Sequence, residues 1–419
     1  MRVLFLSPAY PPFPGGGERY VRSLALELVR RGHAVTVVTG GGVRETDFWQ
    51  GCQGDGQRKV ENLDGIAIYR CPIAAFPGGR AGLLAWRKGM VVLSALPVLG
   101  RQVCLRKMAE WIPPLQGLDA VLAGAGAFDL IHGFNLSWEA AALAGRRLAL
   151  ARGIPYFVTP FAHLGTGDDD RVARNSTMLH QMELLRQAAG VLTLTSVEAE
   201  GLVRWGVAAE RVAAIGCGLD PLPAVIPPVE DVFRRYGLTG PVVLFVGRAS
   251  YDKGAIHAAE AVLQLNAGGI AVQLVLAGQL SPEFQRFYER LDGAGRSRIV
   301  PLGVISEEDK HALLEGCRVF VLPSRTDSFG IVFLEAWAHG RPVIGARAGG
   351  IPGVIDEHEN GLLVSFGEPA ALAEALAGLL KDPQRAAVLG RKGAEKTAKV
   401  YSWEAVGARV SEIYRRVTG

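Results

Sequence analysis

The sequence predicts an α/β protein made of two doubly wound domains. Three features carry that expectation: short apolar β-branched runs alternate with helical periodicity from end to end, a Pro-rich stretch interrupts the alternation once, and 419 residues are enough for two cores. Continuous apolar strands are buried on both faces, and helices between them make the connections parallel crossovers.

In the first half, Val3–Leu6 predicts a strand, Glu18–Arg31 a helix and Ala34–Val38 the next strand. Ile66–Tyr69, Leu130–His132, Tyr156–Thr159 and Val191–Thr195 continue the strand series, with a helix over Trp138–Arg152. Pro221-Leu222-Pro223-Ala224-Val225-Ile226-Pro227-Pro228 then predicts an extended hinge, because residues before proline are pushed out of the helical region. A second alternation follows. Strands are expected at Val242–Val246, Val272–Ala277, Ile299–Pro301, Val319–Leu322, Val343–Gly345 and Leu362–Val364. Helices are expected at Ala255–Leu265, Glu307–Leu314, Ile331–His339 and Ala370–Leu380, with a closing helix over Trp403–Val417.

Composition narrows the function classes. Apolar residues make up 49% and charged residues 21%, which excludes a largely disordered chain. The net charge of +4 is too balanced for a protein built to neutralise nucleic-acid phosphates. Five scattered cysteines form no CxxC pair, which excludes a zinc ribbon and fits a reducing compartment. The apolar start Val3-Leu4-Phe5-Leu6 is too short for a signal peptide, and the longest apolar run, Met90 to Leu99, is too short to span a bilayer. A soluble cytoplasmic protein is expected, with peripheral contact at the inner face of the cytoplasmic membrane as an added expectation.

Open parallel sheets bind ligands at the carboxyl ends of their strands, so the motifs there carry the functional signal. Pro11-Pro12-Phe13-Pro14-Gly15-Gly16-Gly17-Glu18 lies between the first strand and first helix, where Gly15 and Gly16 allow close backbone approach to an anion. A plain tight turn is the other reading, and the run is not the GxGxxG of nicotinamide cofactors. Phe245-Val246-Gly247-Arg248 followed by Asp252-Lys253-Gly254 occupies the equivalent place in the second half. Arg248 and Lys253 straddle a loop that opens a helix and suit a diphosphate, although two solvated surface cations would look the same. The absence of GxxxxGK[ST] leaves ATP hydrolysis unsupported.

Asp327-Ser328-Phe329-Gly330-Ile331-Val332-Phe333-Leu334-Glu335 follows the strand Val319–Leu322. Asp327 and Ser328 stand where a helix cap is expected, and Glu335, in an apolar stretch, needs a partner if buried. Helical rise would separate the two carboxylates by up to ~12 Å. That exceeds the ~5–9.5 Å of a glycosidase pair, so they should serve different parts of one long ligand. Gly349-Gly350-Ile351-Pro352-Gly353, just after another strand, offers backbone N–H groups for further anion contacts or a plain turn.

Taken together, these motifs resemble the retaining glycosyltransferases of the GT-B fold, family 4 (glycosyltransferase group 1), over essentially the whole chain. The resemblance rests on Pro-Pro-x-x-Gly-Gly-x-Glu at 11–18, Arg-Arg-Gly-His-x-Val at 30–35, and Phe-Val-Gly-Arg…Lys-Gly at 245–254. Pro-Ser-Arg…Ser-Phe-Gly-Ile-Val-Phe-Leu-Glu-Ala at 323–336, Gly-Gly-Ile-Pro at 349–352 and Asn-Gly-Leu-Leu-Val at 360–364 complete it. It implies two Rossmann-like domains facing each other across a cleft: 1–222 for the acceptor, 223–400 for the nucleotide sugar, and 401–419 as a helix packing back on the first. It also implies that Arg248 and Lys253 bind the diphosphate and stabilise the leaving group. Glu335 would hold the ribose, and Asp327 would contact the donor sugar where the family has Glu. Ser328, Phe329, Gly330 and Ile331 would bind the donor, the last three through backbone N–H groups, and His163 would face the sugar. Gly278-Gln279, Gly353 and Cys217 depart from the usual family residues, which leaves the donor sugar open.

The implied reaction transfers a sugar, with retention, from a nucleoside diphosphate sugar to a glycan or lipid-linked acceptor. No cofactor and no metal are expected, and no nucleic-acid partner. A sugar-nucleotide epimerase or hydrolase of the same fold is one alternative, and a non-catalytic sugar-nucleotide or lipid-binding module, favoured by Asp327, is another.

A separate signal lies between Arg80 and Gly117. Arg80, Arg87, Lys88, Arg101, Arg106 and Lys107 face one acid, Glu110, among Trp86, Met90, Leu93, Leu96, Leu99 and Trp111. A cationic, Trp-bearing apolar segment suits an anionic lipid surface, so Arg87, Lys88, Arg106 and Lys107 are candidate membrane or acceptor residues. A helix pair packed on the first sheet with its charges in water is the alternative.

Overall fold

The computed structural model describes residues 1–52, 59–163, 165 and 171–419. They form two compact units: Met1–His163, residues 171–218 and Trp403–Gly419 make the first, and Leu219–Ser402 the second.

The first unit holds β1 (Arg2–Ser7), β2 (Ala34–Gly40), β3 (Lys59–Leu63), β4 (Ile66–Cys71), β5 (Leu130–Phe134), β6 (Tyr156–Thr159), β7 (Gly190–Thr193) and β8 (Val212–Ala214). They lie side by side as β3-β4-β2-β1-β5-β6-β7-β8, all parallel except β3, which runs antiparallel to β4. Val3, Leu4, Phe5 and Leu6 are fully buried, as a central strand covered on both faces must be. The helix Trp403–Thr418 belongs to this unit: Tyr414 packs its ring 4.8 Å from Phe157, and Trp403 lies 5.4 Å from Tyr20.

The second unit holds β9 (Val242–Val246), β10 (Gln273–Ala277), β11 (Ile299–Gly303), β12 (Val319–Leu322), β13 (Val343–Ala346) and β14 (Leu362–Val364). Their order is β11-β10-β9-β12-β13-β14, and every pairing is parallel. Both units thus contain the Rossmann order, in which chain direction across the sheet reverses beside the first strand. The reversals fall between β1 and β5, and between β9 and β12.

Differences from expectation have local causes. Strand β3 was not anticipated; it hairpins onto β4 through Asp64-Gly65, both at positive φ, the dipeptide that two-residue hairpin turns favour. Strand β7 stops at Thr193, because Thr195 accepts a hydrogen bond from the Glu198 N–H and caps the helix Ser196–Arg204. The helix Pro383–Val400 was also missed, although Asp382 caps it and Pro383 opens it. No described helix is long and apolar enough to cross a membrane.

Candidate functional site

In the second unit, the turns after β9 and β12 meet at the strand-order reversal. Beyond β9, Gly247 and an exposed Arg248 lead into Ser250, whose hydroxyl accepts the Lys253 N–H at 3.3 Å. Gly254 then caps the helix Ala255–Ala267 with φ 77. A Cβ at Gly254 would lie 2.2 Å from the Pro323 carbonyl oxygen, so only glycine lets this helix start against the end of β12. That approach places Lys253 Nζ 2.7 Å from Asp327 Oδ1, and both side chains are largely buried. Just before these two residues on their turns, Arg325 binds Asp252 Oδ1 through Nε at 2.9 Å and Nη2 at 2.7 Å, and its backbone N–H donates to the Asp252 carbonyl at 3.0 Å. The Arg325 guanidinium also lies 5.0 Å from the Phe366 ring and 5.8 Å from Tyr251. Two adjacent ion pairs therefore staple the same two turns.

The helix cap expected at Asp327 and Ser328 is not formed. Gly330, at φ 86, caps the helix Ile331–Ala338 with no side-chain acceptor, and Asp327 is spent on Lys253 instead. The buried Phe329 ring meets Tyr401 edge-on at 5.3 Å, while Ser328 and Ile331 remain half-buried. The Gly350 N–H donates to the Asp327 carbonyl at 2.8 Å, so that member of the Gly349–Gly353 run braces the turn.

Glu335 is buried on this helix, and its partner is Lys310, whose Nζ lies 2.9 Å from Glu335 Oε1 and 2.7 Å from Glu307 Oε2. The sequence demanded a partner but could not name it, since Lys310 is 25 residues away. His311, one residue on, brings a third potential ligand atom to within 4.8 Å of the two carboxylates. No such cluster was expected from sequence. The Lys310 ammonium already supplies the positive charge between these carboxylates, which argues against a divalent cation there.

In the first unit, Gly15 and Gly16 follow β1 and open the helix Gly16–Arg30. Glu18 folds back over Gly15, and burial pushes its carboxyl up to about 7. Gly17 packs on the Phe161 ring. Phe161 has φ 50, a strained value for a bulky side chain, directly before Ala162 and His163 at the end of β6. The Ala162 N–H donates to Glu198 Oε1 at 2.7 Å, the Leu194 N–H to Glu198 Oε2 at 2.9 Å, and the His163 N–H to Ser176 Oγ at 3.2 Å. Sequence reasoning missed Glu198. Its signal was Thr195-x-x-Glu198, a capping-box spacing, here turned to hold the His163 loop.

The basic segment divides in two. Arg87 points inward, with Nη1 2.5 Å from Glu139 Oε1 and Nη2 3.1 Å from the Ser137 carbonyl. Glu139 also accepts from Gln181 Nε2 at 2.7 Å, with His180 Nε2 at 3.3 Å. Burial pushes the Glu139 carboxyl up, but Arg87 and His180 outweigh it and hold it below the usual range. Arg106 reaches Glu183 at 3.7 Å. Arg87 and Arg106 are therefore bound to acids of their own unit, whereas Lys88 and Lys107 are exposed. The structure thus removes Arg87 from any lipid-facing surface.

Two Rossmann-ordered sheets, each with a glycine turn opening a helix at its switch point, give the chain the α/β architecture of the GT-B glycosyltransferase fold. Residues 231–396 match the family described as glycosyl transferases group 1, and residues 15–218 match the glycosyl transferase 4-like domain. A 2-deoxystreptamine glucosyltransferase of Streptomyces kanamyceticus is 30% identical over 67% of this chain and 75% of its own length. A D-inositol 3-phosphate glycosyltransferase of Acidothermus cellulolyticus is 32% identical over 69% of this chain and 67% of its own. The chain belongs to the group 1 glycosyltransferases. Among solved structures, sucrose-phosphate synthase from Thermosynechococcus elongatus superposes with a TM-score of 0.73 at 24% identity, covering 99% of this chain and 98% of that one. Anabaena HepE in complex with UDP-glucose superposes with a TM-score of 0.71 at 19% identity, over 99% and 100% of the two chains. These two likenesses show a shared fold.

Proposed function

We propose that this glycosyltransferase takes its sugar from a nucleoside diphosphate sugar and passes it, with retention of anomeric configuration, to a glycan or lipid-linked acceptor. The second unit would hold the donor and the first the acceptor. The observation that carries this reading is Lys253, fixed by Asp327 at the strand-order reversal beside the first turn of a 13-residue helix. A helix N-terminus and a lysine together suit a diphosphate.

The chemistry follows from charge. As the bond between the anomeric carbon and the donor's phosphate oxygen breaks, negative charge grows on the diphosphate. Lys253 and Arg248 would neutralise it, with the N–H groups that follow Gly254 and Gly330. Asp327, turning from Lys253 to a sugar hydroxyl once the diphosphate arrives, would orient the donor sugar. Glu335 would hold the ribose, and His163, braced by Glu198, would face the sugar from the first unit. With Asp327 held on a sugar hydroxyl rather than aimed at the anomeric carbon, departure and attack would share one face of the sugar, with the leaving phosphate taking the acceptor's proton. Lys253 and Arg248 would also supply the positive charge that a divalent ion brings, so turnover in EDTA is the expected behaviour.

The test combines a thermal-shift screen of nucleoside diphosphate sugars with NMR of the transferred product. A donor should raise the melting temperature, and the product should keep the donor's anomeric configuration. Product of the opposite configuration would overturn retention. Conversion of the donor without any acceptor would replace transfer by hydrolysis or epimerisation.

A further inference from the structure

The helices Gly79–Ala95 and Arg101–Ala109 form a hairpin on the first unit whose outer side departs from that of an ordinary surface helix. The inner side buries Leu83, Met90, Leu105 and Ala109, and it also carries the inward-turned Arg87. The outer side is where charge would normally sit. Instead, Leu84, Lys88, Val92 and Leu96 recur at every fourth position along the first helix, all exposed. Val103, Lys107 and Trp111 repeat that spacing along and just beyond the second. Each stripe therefore reads apolar, lysine, apolar. The turn between them raises Leu99 to 100% exposure, and Trp111 is 48% exposed.

The hairpin is built rather than loose. Trp86 Nε1 donates to the Met108 carbonyl at 3.1 Å, joining the two helices. Ser94 Oγ accepts the Leu179 N–H at 3.0 Å, and Arg101 grips the Leu96 carbonyl under the turn. From residue 79 to residue 109 there is no Asp or Glu. The nearest acid, Glu110, is paired with Arg147. Contiguous exposed apolar side chains of this kind mark an interaction surface.

We infer that this outer face is a docking surface for an anionic lipid bilayer. Exposed Leu, Val and Trp side chains enter the interfacial zone, and Lys88 and Lys107, at the middle of each stripe, meet the headgroup charge. A second copy fits less well, because a two-fold contact sets this face, with its lysines and no acid, against the same face of the other chain. The inference goes beyond the proposed sugar transfer and does not depend on it.

Co-sedimentation of the full chain with vesicles tests it. Vesicles of phosphatidylglycerol and phosphatidylcholine in equal parts should pellet the protein, and pure phosphatidylcholine should not. The quadruple variant Leu84→Ser, Val92→Ser, Leu99→Ser, Trp111→Ser should bind about tenfold more weakly. Lys88→Gln with Lys107→Gln should abolish the preference for the anionic vesicles. An unchanged melting temperature in each variant shows that folding is intact. Absence of binding to anionic vesicles, or equal binding by the variants, overturns the inference. A dimer in light scattering that the serine variant splits assigns the face to self-association instead. Sugar transfer is not measured, so a negative result here leaves the proposed function standing.

Discussion

Lys253 Nζ lies 2.7 Å from Asp327 Oδ1, and this pair ties the turn after β9 to the turn after β12 where the strand order reverses. Beside it, Arg325 and Asp252 join the same two turns. The doubled staple explains how a lysine with four rotatable carbons is held in one place: one ion pair fixes the side chain, and the other fixes the backbone beneath it. In the proposed reaction, a diphosphate arriving at the turn would compete with Asp327 for the ammonium and let the carboxylate turn to sugar hydroxyls.

Lys253→Ala should lower kcat by about 10²–10³, the range seen when one preorganised charge or donor is removed from a developing anion. Lys253→Arg should retain part of the rate. Steady-state kinetics with a donor found by the thermal-shift screen decide this, and a kcat within twofold of wild type would remove Lys253 from leaving-group stabilisation.

Lys310→Met should destabilise the second unit by about 3–5 kcal/mol, because it strands the buried Glu335 carboxylate without a counter-charge. Glu335 and Lys310 keep only 6% and 7% side-chain exposure, so water cannot substitute. The double variant Lys310→Met, Glu335→Leu should recover most of the loss, since an apolar pair of similar volume removes both charges. Urea unfolding of these two variants and of Glu335→Leu alone completes the cycle. Additive losses would show that the pair is not coupled.

The strand and helix alternation was legible because the central strands of both sheets are parallel and buried on both faces, so each of them announces itself as an unbroken apolar run, as β3, antiparallel at an edge, does not. Lys253, Asp327 and Glu335 were legible because each follows such a run at a strand end or interrupts an apolar helix. What the sequence withheld was the partner in each case. Lys310 and Arg325 are ordinary surface cations until folding brings them to Glu335 and Asp252. Arg87 shows the reverse: a cation in a basic run looks solvated, but the fold turns it onto Glu139. The outward stripe through Leu84 and Lys88 likewise needed the structure, since periodicity alone does not say which side of a helix faces the sheet.

Gly254→Ala should weaken donor binding and lower stability together. The position combines φ 77 with a Cβ placed 2.2 Å from the Pro323 carbonyl, so the strain of a left-handed alanine, about 1–2 kcal/mol, adds to a clash with backbone. Relief requires the helix Ala255–Ala267 to draw away from β12, which parts Lys253 from Asp327. Titration calorimetry with the donor's nucleoside diphosphate and a thermal melt should both shift. A variant less stable but equally tight for the diphosphate would show that the approach serves folding alone.

Glu198 should give the first unit a pH-dependent stability. Its carboxyl is fully buried, and burial pushes it from the ordinary 4.5 up to about 7, even though two backbone N–H groups favour the charged form. A folded-state value raised in this way means that the native state holds the proton more tightly than the unfolded chain does. The stabilisation is therefore complete below pH 4.5 and is lost as pH rises through about 7. Glu198→Gln cannot ionise, so its melting temperature relative to wild type should climb across that interval and level off above it. The same substitution keeps one acceptor for the Ala162 or Leu194 N–H and loses the other, which should loosen the His163 turn and lower kcat with little change in donor KM. A melting-temperature difference that stays flat from acid to neutral pH would show that Glu198 titrates in the native protein as it does in the unfolded chain, with its two N–H donors offsetting burial.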